Sequence, residues 1–370
     1  VQNQSNNFIA LSSVAVHDTD MTHAVQAGTL HAHLRRISSM HLSGHDHGEA
    51  LRQQSAEAKR RALSKLPELL ERAEANLTAN GVRVLWALDG AEARAQVLDI
   101  TKQHNVGKII KSKSMLTEEI ALNPALEQAG VQVVETDLGE YIIQISGEHP
   151  SHIIAPVIHK TKASIRDLFV EKLAMTPTDD AGEMVAFARE KLRAEYLSAD
   201  MGISGGNFVI AETGALALVT NEGNGRMCTT MPRVHVALVG IEKIVETVDD
   251  YALLTQVLTR SGTGQLLSVY SNIIHGPRRP DEADGPEHVY VIFVDNGRSE
   301  IYATQYAEVL TCLRCGACQN ACPVYRSTGG HAYGWVYGGP IGAVITPLLT
   351  GLNHAQPLPH ASSLCGACKQ

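Results

Sequence analysis

Over the first 48 residues polar positions and histidines predominate and apolar residues keep no steady period, so this stretch reads as an extension ahead of the folded domains. Regular patterning begins at residue 49. Residues 49–65 form a charged helix, and Pro67, acceptable in a first helical turn, opens a second helix that runs to Asn80 and stops at Gly81. The pair is expected to pack on the outside of the domain that begins at Val82. Short apolar runs then alternate with helical periods: strand 82–86, helix 91–103, strand 108–111, helix 117–129 with Thr117 as its cap, and strand 131–135. That alternation calls for an open parallel sheet and an α/β fold. Further along come a strand at 141–145, helices at 162–173 and 182–197, and strands at 207–212 and 215–220 joined by a turn at Thr213 and Gly214. Strand 234–239, helix 249–259 and strands 266–274 and 289–294 complete the domain, whose boundary falls between Asp295 and Glu308.

Ligands of open α/β sheets gather at the carboxyl ends of the strands, which puts Lys111, Ser112, Lys113 and Ser114 at an anion site. The run Asn221-Glu-Gly-Asn-Gly-Arg226 reads as a glycine-rich loop that lets backbone approach a ligand, with Asn221 and Asn224 beside it and Arg226 as a planar clamp for carboxylate or phosphate. Glu212 is the candidate base, so Glu212 and Arg226 are the candidate catalytic residues. His235 and Cys228 fall in apolar surroundings and read as core. His41, His45 and His47 read as solvated near a terminus. There is no Gly-x-Gly-x-x-Gly fingerprint and no Walker loop, which weighs against a nicotinamide or nucleotide enzyme.

The spacing that dictates a chemistry is Cys312-Leu-Arg-Cys315-Gly-Ala-Cys318-Gln-Asn-Ala-Cys322-Pro323. Three thiolates three residues apart suit one [4Fe–4S] cubane, and the fourth, followed by proline, serves a second cluster. Cys365-Gly-Ala-Cys368 repeats the opening of the motif. The first cluster therefore takes Cys312, Cys315 and Cys318 plus a ligand beyond residue 370, and the second takes Cys322, Cys365 and Cys368. The remaining ligand of the second is open among Ser362, His360, water and a partner. Two Cys-x2-Cys knuckles also have zinc spacing, but zinc would leave Cys312, Cys322 and Pro323 without a role.

Composition narrows the classes. At 370 residues with 44% hydrophobic and 19% charged positions the chain buries a real core, and a net charge of −8 disfavours a nucleic-acid surface. All 39 acidic residues lie at or before Glu308, so the cysteine region, with Arg314, Arg326 and Lys369 as its only charges, surrounds an anionic cluster with an acid-free shell. Six of the seven cysteines fall there, which argues for ligation in a reducing compartment rather than a disulfide framework. No apolar run reaches the roughly 18 residues of a membrane span. Residues 339–352 are apolar but broken by Pro340 and Pro347, and read as cluster shielding or a docking surface.

Several separated runs resemble the lactate utilization protein B family: Lys111-Ser-Lys-Ser-Met-Leu-Thr-Glu-Glu119, Glu135-Thr-Asp-Leu-Gly-Glu-Tyr141, Pro150-Ser-His-Ile-Ile-Ala-Pro156, Ala211-Glu-Thr-Gly214, Thr220-Asn-Glu-Gly-Asn-Gly-Arg226, Gly276-Pro-Arg-Arg-Pro280, Asp295-Asn-Gly-Arg298 and Gly330-His-Ala-Tyr-Gly-Trp-Val-Tyr337. The resemblance implies a large domain (49–300) of the ribose-phosphate isomerase and CoA-transferase class, behind an extension (1–48), and a mostly helical two-cluster ferredoxin-like domain (301–370). It implies an iron–sulfur electron-transfer subunit of a complex oxidising L-lactate to pyruvate. The implied partners are a cysteine-rich subunit and a second subunit with a lactate-utilisation domain. The implied place is the cytoplasm, at the inner face of the membrane when the complex docks there. Tyr333, Trp335 and Tyr337 are then expected to be exposed for a partner to cover. The competing reading is an α/β enzyme binding an acidic or phosphorylated small molecule, with a structural zinc site.

Overall fold

The computed structural model of the chain describes residues 3–369. Its strands are β1 (Arg83–Ala87), β2 (Lys108–Lys111), β3 (Gln132–Glu135), β4 (Met201–Ser204), β5 (Phe208–Ile210), β6 (Ala215–Thr220), β7 (Val234–Gly240), β8 (Ile244–Val245), β9 (Tyr270–Ile274) and β10 (His288–Val294). Six form a wholly parallel sheet in the order β1-β10-β7-β4-β2-β3. Both of its faces are covered, which explains why the strands read as near-continuous apolar runs. Along β10, Val289, Val291 and Phe293 enter one core with Leu69, Leu77 and Leu216, while Tyr290, Ile292 and Val294 enter the other with Val97, Ile100 and Leu126.

The other four strands make a smaller sheet, β8-β5-β6-β9, on the first of those faces. Its β5–β6 hairpin turns at Thr213 and Gly214 as the sequence predicts. Gly214 has φ of 61°, and a Cβ there would lie 2.3 Å from the Asn76 backbone, so conformation and space both require glycine. The helices His45–Ser64 and Leu66–Ala79 lie closer in than expected. Ala62, Leu69, Ala73 and Leu77 are core, and buried Lys59 donates to the Glu242 and Ile244 carbonyls at 2.6 and 3.2 Å.

Four expectations are corrected. Residues 141–145 are helix, within Leu138–Ser146, because Asp137 caps the Glu140 N–H and Gly147 closes the end in the left-handed conformation. The helix expected at 117–129 is broken by left-handed Ala121 into Met115–Glu119 and Leu122–Gln128, and the cap is Ser114, not Thr117. Residues 223–226 belong to a helix, Gly223–Thr230, rather than a loop. The unpatterned N-terminus contains the helices Phe8–Ala15 and Thr19–Met40, whose Phe8 and Val25 pack against Tyr325, Tyr333 and Cys322 of the carboxyl-terminal region.

That region is mostly helical, with Ala317–Ala321, Pro323–Thr328 and Gly339–Thr350. It is joined to the sheet domain through the segment 147–160. Tyr325 Oη donates to the Ser151 carbonyl at 2.8 Å, His331 Nε2 meets the His149 carbonyl at 2.7 Å and His152 Nε2 meets Asn320 Oδ1 at 3.1 Å. A Cβ on Gly330 would fall 1.6 Å from the Ser151 oxygen, so the contact tolerates only glycine there.

Burial lowers His149 and His159 to about 4 and His152 to about 3. A base whose folded pKa is depressed binds its proton more readily when unfolded, so this joint weakens as pH falls from about 6.5 toward 4. Burial raises Glu140, on the sheet side, from 4.5 to about 8, so its contribution runs the opposite way, lost as pH rises from about 4.5 to about 8, and it offsets part of the effect of the three histidines. Amide protection factors at residues 147–160 and 317–333, corrected for the slower intrinsic exchange in acid, are therefore expected to be lower at pH 5 than at pH 7. Equal protection at both would show that these histidines do not hold the joint.

Candidate functional site

The cysteine run is shaped by backbone rather than by packing alone. Cys312 is extended, Arg314 and Gly316 are left-handed with φ of 62° and 73°, and Gly316 starts the helix that carries Cys318. Cys322 is extended again, with Pro323 at the first position of the next helix, where its missing N–H costs nothing. Backbone N–H groups point at sulfur: Arg314 N–H donates to Cys312 Sγ and Tyr325 N–H to Cys322 Sγ, both at 3.5 Å. Burial raises the thiols of Cys315, Cys318 and Cys322 above their ordinary value. Burial also pushes Cys312 up, but the charge of Arg314, its N–H and Lys243 outweigh it and hold that thiol low. Cys318 has Cys312 and Cys315 among its charged neighbours, and Cys322 has Cys368 and Cys365. Cys368 is also felt at Cys318, as the turn Ala367–Lys369 packs on the helix Ala317–Ala321.

Against this loop opens a cavity of about 360 Å³. Its floor is the carboxyl ends of three adjacent parallel strands: Ser112 to Ser114 after β2, Gly205 to Asn207 after β4, and Gly240, Glu242 and Lys243 at β7. One wall carries Asn221, Glu222 and Asn224. The opposite wall is Leu313, Arg314 and Tyr337, so the residues between Cys312 and Cys315 face the cavity. A second, apolar cleft of about 680 Å³ shares Glu222 and Asn224 with it.

A buried ionic network lies beside the cavity. Arg298 grips Glu119 through two parallel bonds of 2.9 Å and reaches Glu242 at 2.7 Å, while Tyr337 Oη donates to Glu119 at 2.7 Å. Burial alone would raise the Glu242 carboxyl, but Arg298 and Lys243 outweigh it and hold it at about 2. Burial lowers Lys243 to about 8. On the far side, Lys111 is fully buried between Glu118 at 2.8 Å and Glu135 at 2.5 Å.

Comparison with known proteins supplies the rest. The LUD domain family matches residues 70–294 and the 4Fe-4S dicluster domain family matches residues 308–370. A lactate utilization protein B from Bacillus licheniformis is 49% identical over 323 residues, 87% of this chain and 68% of that protein. The chain belongs to the lactate utilization protein B family. A second member, from a Geobacillus species, is 45% identical over 98% of this chain and 76% of its own length. An uncharacterized electron transport protein, YkgF, of Escherichia coli is 46% identical over 87% and 68%. A solved DUF162 family protein from Deinococcus radiodurans superposes with a TM-score of 0.36 at 15% identity, covering 62% of this chain and 98% of that one, too loosely to add to the topology above.

As a member of the lactate utilization protein B family, the chain is a lactate-utilisation iron–sulfur protein with two [4Fe–4S] clusters in its dicluster domain. The donors present fit that cofactor. All seven cysteines are free, and six lie in the matched region. Among the described residues the only trio of ligand-type atoms within 4.8 Å of one another is Glu148, His159 and His331, so no three cysteine sulfurs approach that closely. Tetrahedral zinc, with Zn–S bonds of about 2.3 Å, needs sulfurs roughly 3.8 Å apart, whereas a cubane spreads its thiolates over separate irons. Among the described residues no helix is long and apolar enough to cross a membrane.

The structure gathers some of the site residues expected from the sequence and disperses others. Lys113, Ser112, Ser114, Asn221 and Asn224 line the cavity. Lys111 does not, being committed to its two carboxylates. Arg226 is exposed and outside the cavity. Glu212 is exposed too, and its carboxylate accepts the Val248 N–H at 3.0 Å. His235 is buried against Ser204 Oγ at 2.8 Å and Cys228 is buried beside Thr136, as expected of core residues. His41 and His45 touch only each other, in solvent. The aromatics expected to be exposed are buried. Tyr333 packs between Phe8 and Tyr325, and Trp335 and Tyr337 pack with Ile153 and Ile345. Sequence reading missed Arg314, Lys243 and Arg298. The signal available was that a guanidinium inside a cysteine motif, in a region so poor in charge, needs a partner.

Proposed function

We propose that this chain carries electrons out of L-lactate as a complex oxidises it to pyruvate, working beside a cysteine-rich subunit and a second subunit with a lactate-utilisation domain. The observation that carries the reading is that Leu313 and Arg314, between two cluster cysteines, form a wall of the sheet-domain cavity. Cys312, Cys315 and Cys318 would hold one cluster, and Cys322, Cys365 and Cys368 would contribute to the other. Bound clusters supply one-electron acceptors whose potentials are set by burial and by hydrogen bonds to sulfur. Lactate oxidation releases two electrons and two protons, so two clusters can take both electrons. The chain's own part is to bury the sulfurs, aim the Arg314 and Tyr325 N–H groups at them, and keep acidic side chains away. Within this proposal the chain lies in the cytoplasm, at the inner face of the membrane when the complex docks there. In a complex assembled from purified subunits, L-lactate is expected to reduce an artificial acceptor only when this chain is present with its clusters. Equal rates without it would sink the proposal.

A further inference from the structure

We infer that the cavity between the sheet and the cysteine loop binds a small 2-hydroxy or 2-oxo carboxylate, with the Arg314 guanidinium on its carboxylate and Asn224 on its 2-oxygen. The inference deepens the proposed function by placing the acid on this subunit, and rests on that reading for the identity of the acid.

Arg314 carries most of it. The residue is 8% exposed, yet neither Nη1 nor Nη2 has a hydrogen-bond partner, and the nearest carboxylate oxygen, Glu242 Oε1, stands at 3.9 Å. One face of the guanidinium rests on the Tyr337 ring, 5.2 Å from its centroid. Two unpaired N–H edges on a fixed plane match the two oxygens of a carboxylate. The residue also holds a left-handed backbone, φ 62°, which side-chain-bearing residues adopt only at a cost. Its charge is shared with the Cys312 sulfur, yet the two Nη groups are left buried without an acceptor, which is expensive and favours a ligand that supplies one.

The remaining lining fits the rest of the molecule. Lys243 and Lys113 add positive charge on the same lining, while Arg298 is already neutralised by Glu119 and Glu242. Asn224 is 7% exposed and its Oδ1 has no partner, which leaves an acceptor for a hydroxyl proton. Leu218, Leu238, Leu258 and Ile153 supply apolar surface for a short carbon chain. The volume, about 360 Å³, is at the lower end for small-molecule clefts, and the location is where open α/β sheets hold ligands.

The test uses the cluster-replete full chain under anaerobic conditions, titrated calorimetrically with L-lactate, with propionate, which lacks the hydroxyl, and with 1,2-propanediol, which lacks the carboxylate. Lactate is expected to bind saturably, propionate more weakly and the diol not at all. Arg314→Lys should weaken lactate by roughly 10–100-fold, the worth of one charge-assisted hydrogen bond, and Asn224→Ala should weaken lactate but not propionate. Because Arg314 neighbours two cluster ligands, the iron content and reduced-state EPR spectrum of each variant are measured alongside. Asn224→Ala, on the helix Gly223–Thr230 outside the cysteine run, gives the decisive comparison if Arg314→Lys loses iron. No saturable lactate binding, or equal affinity for the diol, would overturn the inference. So would an Arg314→Lys protein whose EPR spectrum shifts while its lactate affinity holds, since Arg314 then serves the cluster only. If the assembled complex still reduces its clusters with lactate while this chain binds none, the acid sits on another subunit and the electron-carrying proposal stands.

Discussion

Replacing Cys315 by serine is expected to remove the EPR signal of one reduced cluster and to cut lactate-dependent electron transfer by more than about 100-fold. Even outer-shell partners of metal sites are commonly worth roughly 10–100-fold, and a thiolate ligand should exceed that. The sheet domain should survive the change. The buried cores on the two faces of the parallel sheet come from residues between Ala62 and Leu310, and Cys315 packs only at the margin of a smaller cluster under β5, β6 and β8, where serine removes little apolar contact. Circular dichroism and thermal melting of the sheet domain serve as the control. Full transfer activity in a Cys315→Ser protein of intact fold would mean that electrons bypass this cluster.

The second large effect is expected at Arg298. Its side chain is 2% exposed and binds Glu119, 0% exposed, and Glu242, 2% exposed, while Tyr337 reaches the same Glu119 from the carboxyl-terminal region. Arg298→Met would strand two buried carboxylates, an imbalance that typically costs about 3–5 kcal/mol, or a midpoint shift on the order of 10 °C for a domain of this size. Adding Glu119→Gln should restore part of the loss, because one stranded charge is then gone. A single variant within about 0.5 kcal/mol of the parent, the range of ordinary surface changes, would show that the network does not hold the two regions together.

How far the sequence foretold this arrangement depends on what kind of signal each part leaves. β10 is legible because a strand buried on both faces is a near-continuous apolar run, and the Thr213–Gly214 turn is legible because the left-handed position calls for glycine. β4 escaped because Met-Gly-Ile-Ser is too short to show a period and carries a glycine, although it lies between β2 and β7. The helix Leu138–Ser146 passed for a strand because Tyr-Ile-Ile-Gln-Ile favours both states, and the caps at Asp137 and Gly147 decide between them. In the helix Thr19–Met40 the buried positions are Val25, Thr29, Arg36, Ser39 and Met40, a helical spacing hidden from a count of apolar residues by three polar members.

The site divides in the same way. The cysteines announce their chemistry through local spacing, and the family relationship agrees with it. The cavity does not, because its lining comes from many separate stretches, spread from Ser112 to Tyr337, that meet only in the folded chain. Lys111 and Lys113 look equivalent in sequence, yet two carboxylates from neighbouring elements claim the first and leave the second at the cavity.

Freeze-quenched EPR of the assembled complex mixed anaerobically with L-lactate tests the central claim most directly. Signals of reduced [4Fe–4S] clusters on this chain should appear no more slowly than pyruvate and disappear when the terminal acceptor is added. Pyruvate formed at the full rate while these clusters stay oxidised would contradict it.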